Sequence, residues 1–190
     1  ALVRESQRHI EKTRRDRDLD WRWGDLQALP ELVLAEGGEK YLLGKPEVWE
    51  QPLQPRERHL DTVTSITLPV QDAGAYWVVA TMPNGNVARQ MLLLEDIKLV
   101  RKAADNGISW QLLNAASGHP VANAKIDFFG WTTDWGGAGG GRRVVTRRLA
   151  ELTDADGLVH LTARRLGDPD RGHRWLAEAR TAGGQYCCHG

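Results

Sequence analysis

A run of glycines, Gly136-Gly137-Ala138-Gly139-Gly140-Gly141, leads directly into Arg142-Arg143. Backbone N–H groups in such a loop hold phosphate when a Lys-Ser/Thr and a helix N-terminus follow. Neither follows here, and the run reads as a long, flexible hairpin loop. Trp131 and Trp135 flank its start, and aromatic side chains supply much of the contact energy of binding surfaces. Trp131, Trp135, Arg142 and Arg143 are therefore the candidate partner-contact residues, although the eight tryptophans of the chain make core packing the commoner role.

Asp154 and Asp156 beside Gly157 have the alternate spacing that opens a calcium loop. Leu158 stands where a third oxygen ligand would be needed and no glutamate closes the loop, so a side-chain-stabilised turn is expected. The histidines at 9, 59, 119, 160, 173 and 189 show no i, i+4 pair and no Cys-x-x-Cys partner, which gives no zinc pattern. Cys187 and Cys188 are adjacent, a spacing at which ordinary disulfide geometry is rarely met. With no Gly-x-Ser-x-Gly elbow and no cysteine in an enzyme-like setting, no catalytic residue, cofactor site or metal site is expected.

The elements that must position these residues are strands. Apolar and polar residues alternate from Thr62 onward, through Val63, Ser65 and Thr67 and then from Ala75 to Met82. Pro83-Asn84-Gly85-Asn86 predicts a two-residue hairpin turn, with a return strand from Val87 to Leu94. Further strands are expected at Ile97–Arg101, Ile108–Leu113, Val121–Phe129, Arg143–Leu149, Leu158–Thr162, Trp175–Arg180 and Gln185–Cys188. Trp77, Trp110 and Trp175 fall inside them as core candidates, and His160 falls on a solvated face. Asp105-Asn106-Gly107, Ser117-Gly118, Thr153 to Gly157 and Gly183-Gly184 separate the strands with turn chemistry. Short strands so spaced, without helical segments between them, predict an antiparallel sandwich and exclude a parallel α/β sheet.

Before residue 60 the pattern is helical. Leu2 to Arg17 is dense in charge with a thin apolar stripe of Leu2, Val3 and Ile10, which predicts an exposed helix. Pro30 to Glu36 predicts a second, stopped by Gly37-Gly38, and Pro46 to Pro55 reads as an extended connection. Glu95-Asp96 is a short polar joint and the expected domain boundary, giving units 1–95 and 96–190.

The 25 basic and 25 acidic side chains cancel, so charge gives no reason to expect nucleic acid as a partner. The paired arginines Arg142-Arg143, Arg147-Arg148 and Arg164-Arg165 read as solvated strand edges that discourage aggregation. No apolar run approaches the roughly 20 residues that cross a bilayer as a helix. Beginning at Ala1 with no signal segment, the sequence reads either as a processed chain or as a piece of a longer polypeptide.

Gly74-Ala75-Tyr76-Trp77-Val78-Val79-Ala80, the junction Leu93 to Val100, Gly118-His119-Pro120-Val121-Ala122-Asn123-Ala124 and Thr153-Asp154-Ala155-Asp156-Gly157 occur here in that order. Together they resemble two consecutive macroglobulin domains of bacterial alpha-2-macroglobulin-like proteins, over roughly Thr62 to Arg180. The resemblance implies an all-β fold of tandem antiparallel β-sandwich (macroglobulin/immunoglobulin-like) domains with a short helical N-terminal region. It further implies a scaffold portion of an exported, periplasmic or cell-surface protease inhibitor, whose partners are neighbouring domains and, for the whole protein, proteases. The family's thioester motif Cys-x-Glu-Gln is not matched by Cys187-Cys188-His189-Gly190, and no bait region is identifiable. The competing expectation is a carbohydrate- or protein-binding β-sandwich module of a surface protein or adhesin, acting through the loop Trp131 to Gly141.

Overall fold

The computed structural model describes residues 2–26, 28–34, 37–54, 62–135, 141–166 and 172–190. The chain is mostly β-strands in antiparallel sheets, preceded by short helices. The strands are β1 Gly74–Thr81, β2 Val87–Leu94, β3 Ile97–Ala104, β4 Gly107–Asn114, β5 Lys125–Trp135, β6 Arg142–Leu152, β7 Leu158–Thr162, β8 Arg174–Arg180 and β9 Tyr186–His189. The helices are α1 Leu2–Lys12, α2 Leu29–Leu34 and α3 Ala163–Leu166, with 3-10 turns at Asp16–Asp18, Trp21–Gly24 and Gly38–Tyr41. The four-residue α3, directly after β7, is a helical turn that the strand pattern did not anticipate.

The strands form a two-stranded sheet β1-β2, a three-stranded sheet β3-β4-β7 and a four-stranded sheet β6-β5-β8-β9, with every pairing antiparallel. Alternate residues of a strand face opposite sides. On one side Ile97, Leu99, Trp110, Leu112, Val159 and Leu161 of the three-stranded sheet join Ile126, Phe128, Ala177, Ala179 and Cys187 of the four-stranded sheet in one buried cluster. The intervening residues Lys98, Lys102 and His160 are exposed, while the intervening residues Phe129, Trp131 and Leu176 are buried in a second cluster. The four-stranded sheet is thus covered on both faces.

Its second cover is the N-terminal segment. Ile10 of α1 and Leu26, Leu29 and Leu32 around α2 pack on Phe129, Trp131 and Leu176. The expectation of an exposed helix is corrected accordingly: Ser6, Gln7 and Ile10 of α1 are buried, because the outer face of β5 and β8 is apolar and must be withdrawn from water.

Two turns explain the strand limits. β5 begins at Lys125 and not at Val121, since the Leu113–Pro120 bridge and the Val121 N–H to Leu112 C=O bond of 2.9 Å first hold this segment against β4. Asn123, at φ +55°, then carries the chain across to the other sheet; asparagine tolerates this left-handed conformation better than most residues. In the β1–β2 hairpin, Met82 N–H bonds Asn86 C=O at 2.8 Å and Gly85 N–H bonds Met82 C=O at 2.9 Å. The turn therefore spans Pro83-Asn84-Gly85, with Gly85 alone at positive φ, where a two-residue turn was expected. Proline fixes φ near −65° at the first turn position, which suits a three-residue turn and not the left-handed two-residue type.

No strand forms over Thr62 to Thr67, and Val63 and Ile66 are exposed. Alternation alone does not make a strand without a neighbour to satisfy its backbone groups. Of the tryptophans expected in the core, Trp110 is fully buried, whereas Trp77 and Trp175 are half-buried.

Candidate functional site

The four candidate contact residues sit towards the loop end of the β5–β6 hairpin. In the ladder Trp131 faces Thr146, Asp134 faces Arg143 and Trp135 faces Arg142. Trp131 points to the outer face of the sheet and is 3% exposed, stacked at 6.0 Å on Phe129. Gly24 lies close against the indole; a Cβ there would come 2.9 Å from Trp131 Cζ2. The Trp131 ring is therefore covered by the chain's own N-terminal segment. The side chain of Trp135 and residues 136–140 of the glycine loop lie outside the described residues.

Arg142 and Arg143 are exposed and ion-paired. Arg142 Nη1 lies 3.0 Å from Asp16 Oδ2 and Arg143 Nη2 lies 3.3 Å from Asp134 Oδ2. An isolated bridge joins Arg15 to Arg143, and Val144 N–H donates to Arg14 C=O at 3.4 Å. The end of the hairpin thus holds the segment that follows α1.

One turn further along the sheet lies a polar cluster that the sequence reading did not single out. Gln7 Nε2 donates to Glu178 Oε1 at 2.9 Å in a buried bond, and Arg180 Nη2 reaches Glu178 Oε2 at 3.1 Å. Arg148 donates to Glu11 Oε1 at 2.8 Å and to Gln7 Oε1 at 3.1 Å, with its guanidinium 4.9 Å from the centre of the Phe129 ring. Gln7, Asp127, Phe129 and Arg148 line a shallow cavity of about 220 Å³ there. The Gln7–Glu11 spacing on α1 was the available signal, since residues four apart share a helix face. Only the sheet register places Glu178 and Arg148 beneath that face.

Chemistry at the other polar groups is limited by their surroundings. Adjacent residues in a strand point oppositely, so Cys187 faces the inner cluster and Cys188 the outer one. Burial pushes the Cys187 thiol up to about 12 and raises Cys188 as well, with Glu95 adding to both. Neither is a ready thiolate nucleophile at neutral pH. Ser109 Oγ lies 3.0 Å from His160 Nδ1, a cross-strand bond on the solvated face of the three-stranded sheet. Among the described residues no group of three or more His, Cys, Asp or Glu side chains could hold a metal ion. No helix in the described residues is long and apolar enough to cross a membrane.

The runs Gly118 to Ala124 and Thr153 to Gly157 are brought together at the end of the inner core. Thr153 Oγ1 accepts from Ala124 N–H at 2.9 Å and donates to Val121 C=O at 2.7 Å, while Asn123 N–H donates to Thr153 C=O at 3.0 Å. Asp154 Oδ1 closes the following turn by accepting from Asp156 N–H at 2.9 Å and from Leu158 N–H at 2.8 Å. Both bonds use a carboxylate oxygen that a calcium loop would need for its ion. No protein-family model matches the chain, and no curated protein or solved structure matches it either.

Proposed function

We propose that this chain is a structural scaffold portion of an exported, macroglobulin-like protease inhibitor, in which its three-stranded and four-stranded sheets form a β-sandwich module without chemistry of its own. The observation that carries the reading is the interlock of the Gly118 to Ala124 run with the Thr153 to Gly157 turn through Thr153. Those two runs are among the residues that resemble the macroglobulin pattern, and the Thr153 hydroxyl ties the backbone of one to the other where the chain crosses between the sheets. Apolar side chains exposed at Val79, Met82 and Val87 on the β1–β2 hairpin and at Leu43, Val48 and Leu53 before it supply surface for neighbouring modules to cover. The carbohydrate-binding alternative loses its first aromatic contact, because Trp131 is buried.

In this reading the inhibitory work is done by other parts of the protein, so the chain alone leaves proteases free. Mixed with a trypsin-like or an elastase-like protease, it should leave turnover of small and of protein substrates unchanged. Stoichiometric protection of large substrates by this chain would overturn the scaffold reading and place the inhibitory surface here.

A further inference from the structure

The N-terminal segment and the four-stranded sheet meet through side chains. Among the described residues their backbones touch only at the Arg15–Arg143 bridge and the Val144 to Arg14 bond. Between the segment and the first strand, residues 42–54 and 62–73 form neither helix nor strand, so the segment can leave the sheet by breaking one isolated bridge, with β1 to β9 kept paired. α1 has eleven residues and α2 six, and helices shorter than about 12–15 residues are marginal on their own. The contact has an apolar centre, Ile10, Leu26, Leu29 and Leu32 on Phe129, Trp131 and Leu176, and a rim in which acids of the segment meet arginines of the sheet, Glu11 with Arg148 and Asp16 with Arg142.

We propose that the described residues 2–26 and 28–34 belong to a displaceable strap, which opens as a unit and bares the aromatic outer face of the four-stranded sheet while both sheets stay folded. This goes beyond the scaffold reading and does not depend on it. The apolar centre holds the strap down, and the half-exposed ion pairs of the rim set its register more than its strength. Opening costs the strap its helices and the face its cover, and it costs the inner core nothing.

The chain carries its own reporters in Cys188, packed against the strap's cluster, and Cys187, 1% exposed in the inner core. The full chain is treated with N-ethylmaleimide at neutral pH, and the modification of each cysteine is followed by fragmentation mass spectrometry. Cys188 is partly exposed with the strap closed and Cys187 is buried, so the parent's two rates serve as the baseline from which each variant's change is read. Glu11→Arg, which sets a cation against Arg148, should raise the Cys188 rate about threefold to tenfold and leave Cys187 unchanged. Ile10→Asp, which forces a charge into a fully buried site, should raise Cys188 further and still leave Cys187 protected. If either variant accelerates both cysteines together, strap and sheets are one cooperative unit and the proposal fails. It fails equally if Cys188 is indifferent to both substitutions.

Discussion

Thr153 Oγ1 bonds the Val121 carbonyl at 2.7 Å and the Ala124 N–H at 2.9 Å, so a single buried hydroxyl holds the segment that crosses from β4 to β5 against the residue that follows β6. A buried backbone group left without a partner costs about 1–3 kcal/mol. Thr153→Val keeps the shape and strands both groups, and should lower stability by about 2–3 kcal/mol. Thr153→Ser, which keeps the hydroxyl, should recover most of it. Urea midpoints of the three proteins measure the difference; equal midpoints for Thr153→Val and the parent would show that the hydroxyl is not the clamp.

Gly157 and Gly85 are both left-handed, at φ +69° and +89°, but their surroundings differ. A Cβ at Gly157 would lie 2.5 Å from the Leu112 carbonyl oxygen, whereas one at Gly85 would meet nothing within 4 Å. Gly85→Ala therefore carries only the backbone cost of about 1–2 kcal/mol. Gly157→Ala adds a backbone clash and should lose roughly 3 kcal/mol or more. Thermal unfolding of the pair decides, and similar losses would contradict the close approach at Gly157.

Trp131 separates a packing role from a contact role. Truncating a buried tryptophan costs about 3–5 kcal/mol, so Trp131→Ala should loosen the strap cluster and markedly reduce the near-ultraviolet dichroism. A neutral effect on both stability and dichroism would restore Trp131 as a partner-contact residue.

His9 stacks on Trp23 at 5.1 Å, with its Nε2 buried and without a hydrogen-bond partner. Burial holds its imidazole below the ordinary 6.5, against the opposing pull of Asp20 and Glu5. His189, edge-on to Trp110 at 5.2 Å, is held low by burial and by Arg101 and Lys98. The folded chain then binds these protons less readily than the unfolded chain. The stability they contribute is fully present above about pH 6.5 and is lost as the pH falls through the depressed folded values. The urea midpoint should fall between about pH 7.5 and 5.5, and the decline should be smaller in a His9→Gln, His189→Gln protein. An undiminished decline in that protein would assign the pH dependence to other groups.

Period-two alternation, with turn residues between its runs, was sufficient to locate a strand at each of β1 to β9, although β5 runs Lys125–Trp135 where Val121–Phe129 was expected, because a half-buried strand must alternate whatever it pairs with. The same logic made the Thr153 to Gly157 turn legible, since short polar side chains bond their own backbone locally. The charged stripe of α1, the arginines of β6 and the tryptophan beside the glycine loop could not be read in this way. Arg142 and Arg148 are the solvated residues of an edge strand that the pattern predicted, but their partners Asp16 and Glu11 were out of its reach; Trp131 looked like a loop contact and the helix looked exposed, because each was judged against its own neighbours in sequence. Gln7 and Glu178 are 171 residues apart, and Glu11 and Arg148 are 137 apart. Only the tertiary structure, which must cover both faces of the four-stranded sheet to withdraw Phe129, Trp131 and Leu176 from water, brings those pairs together.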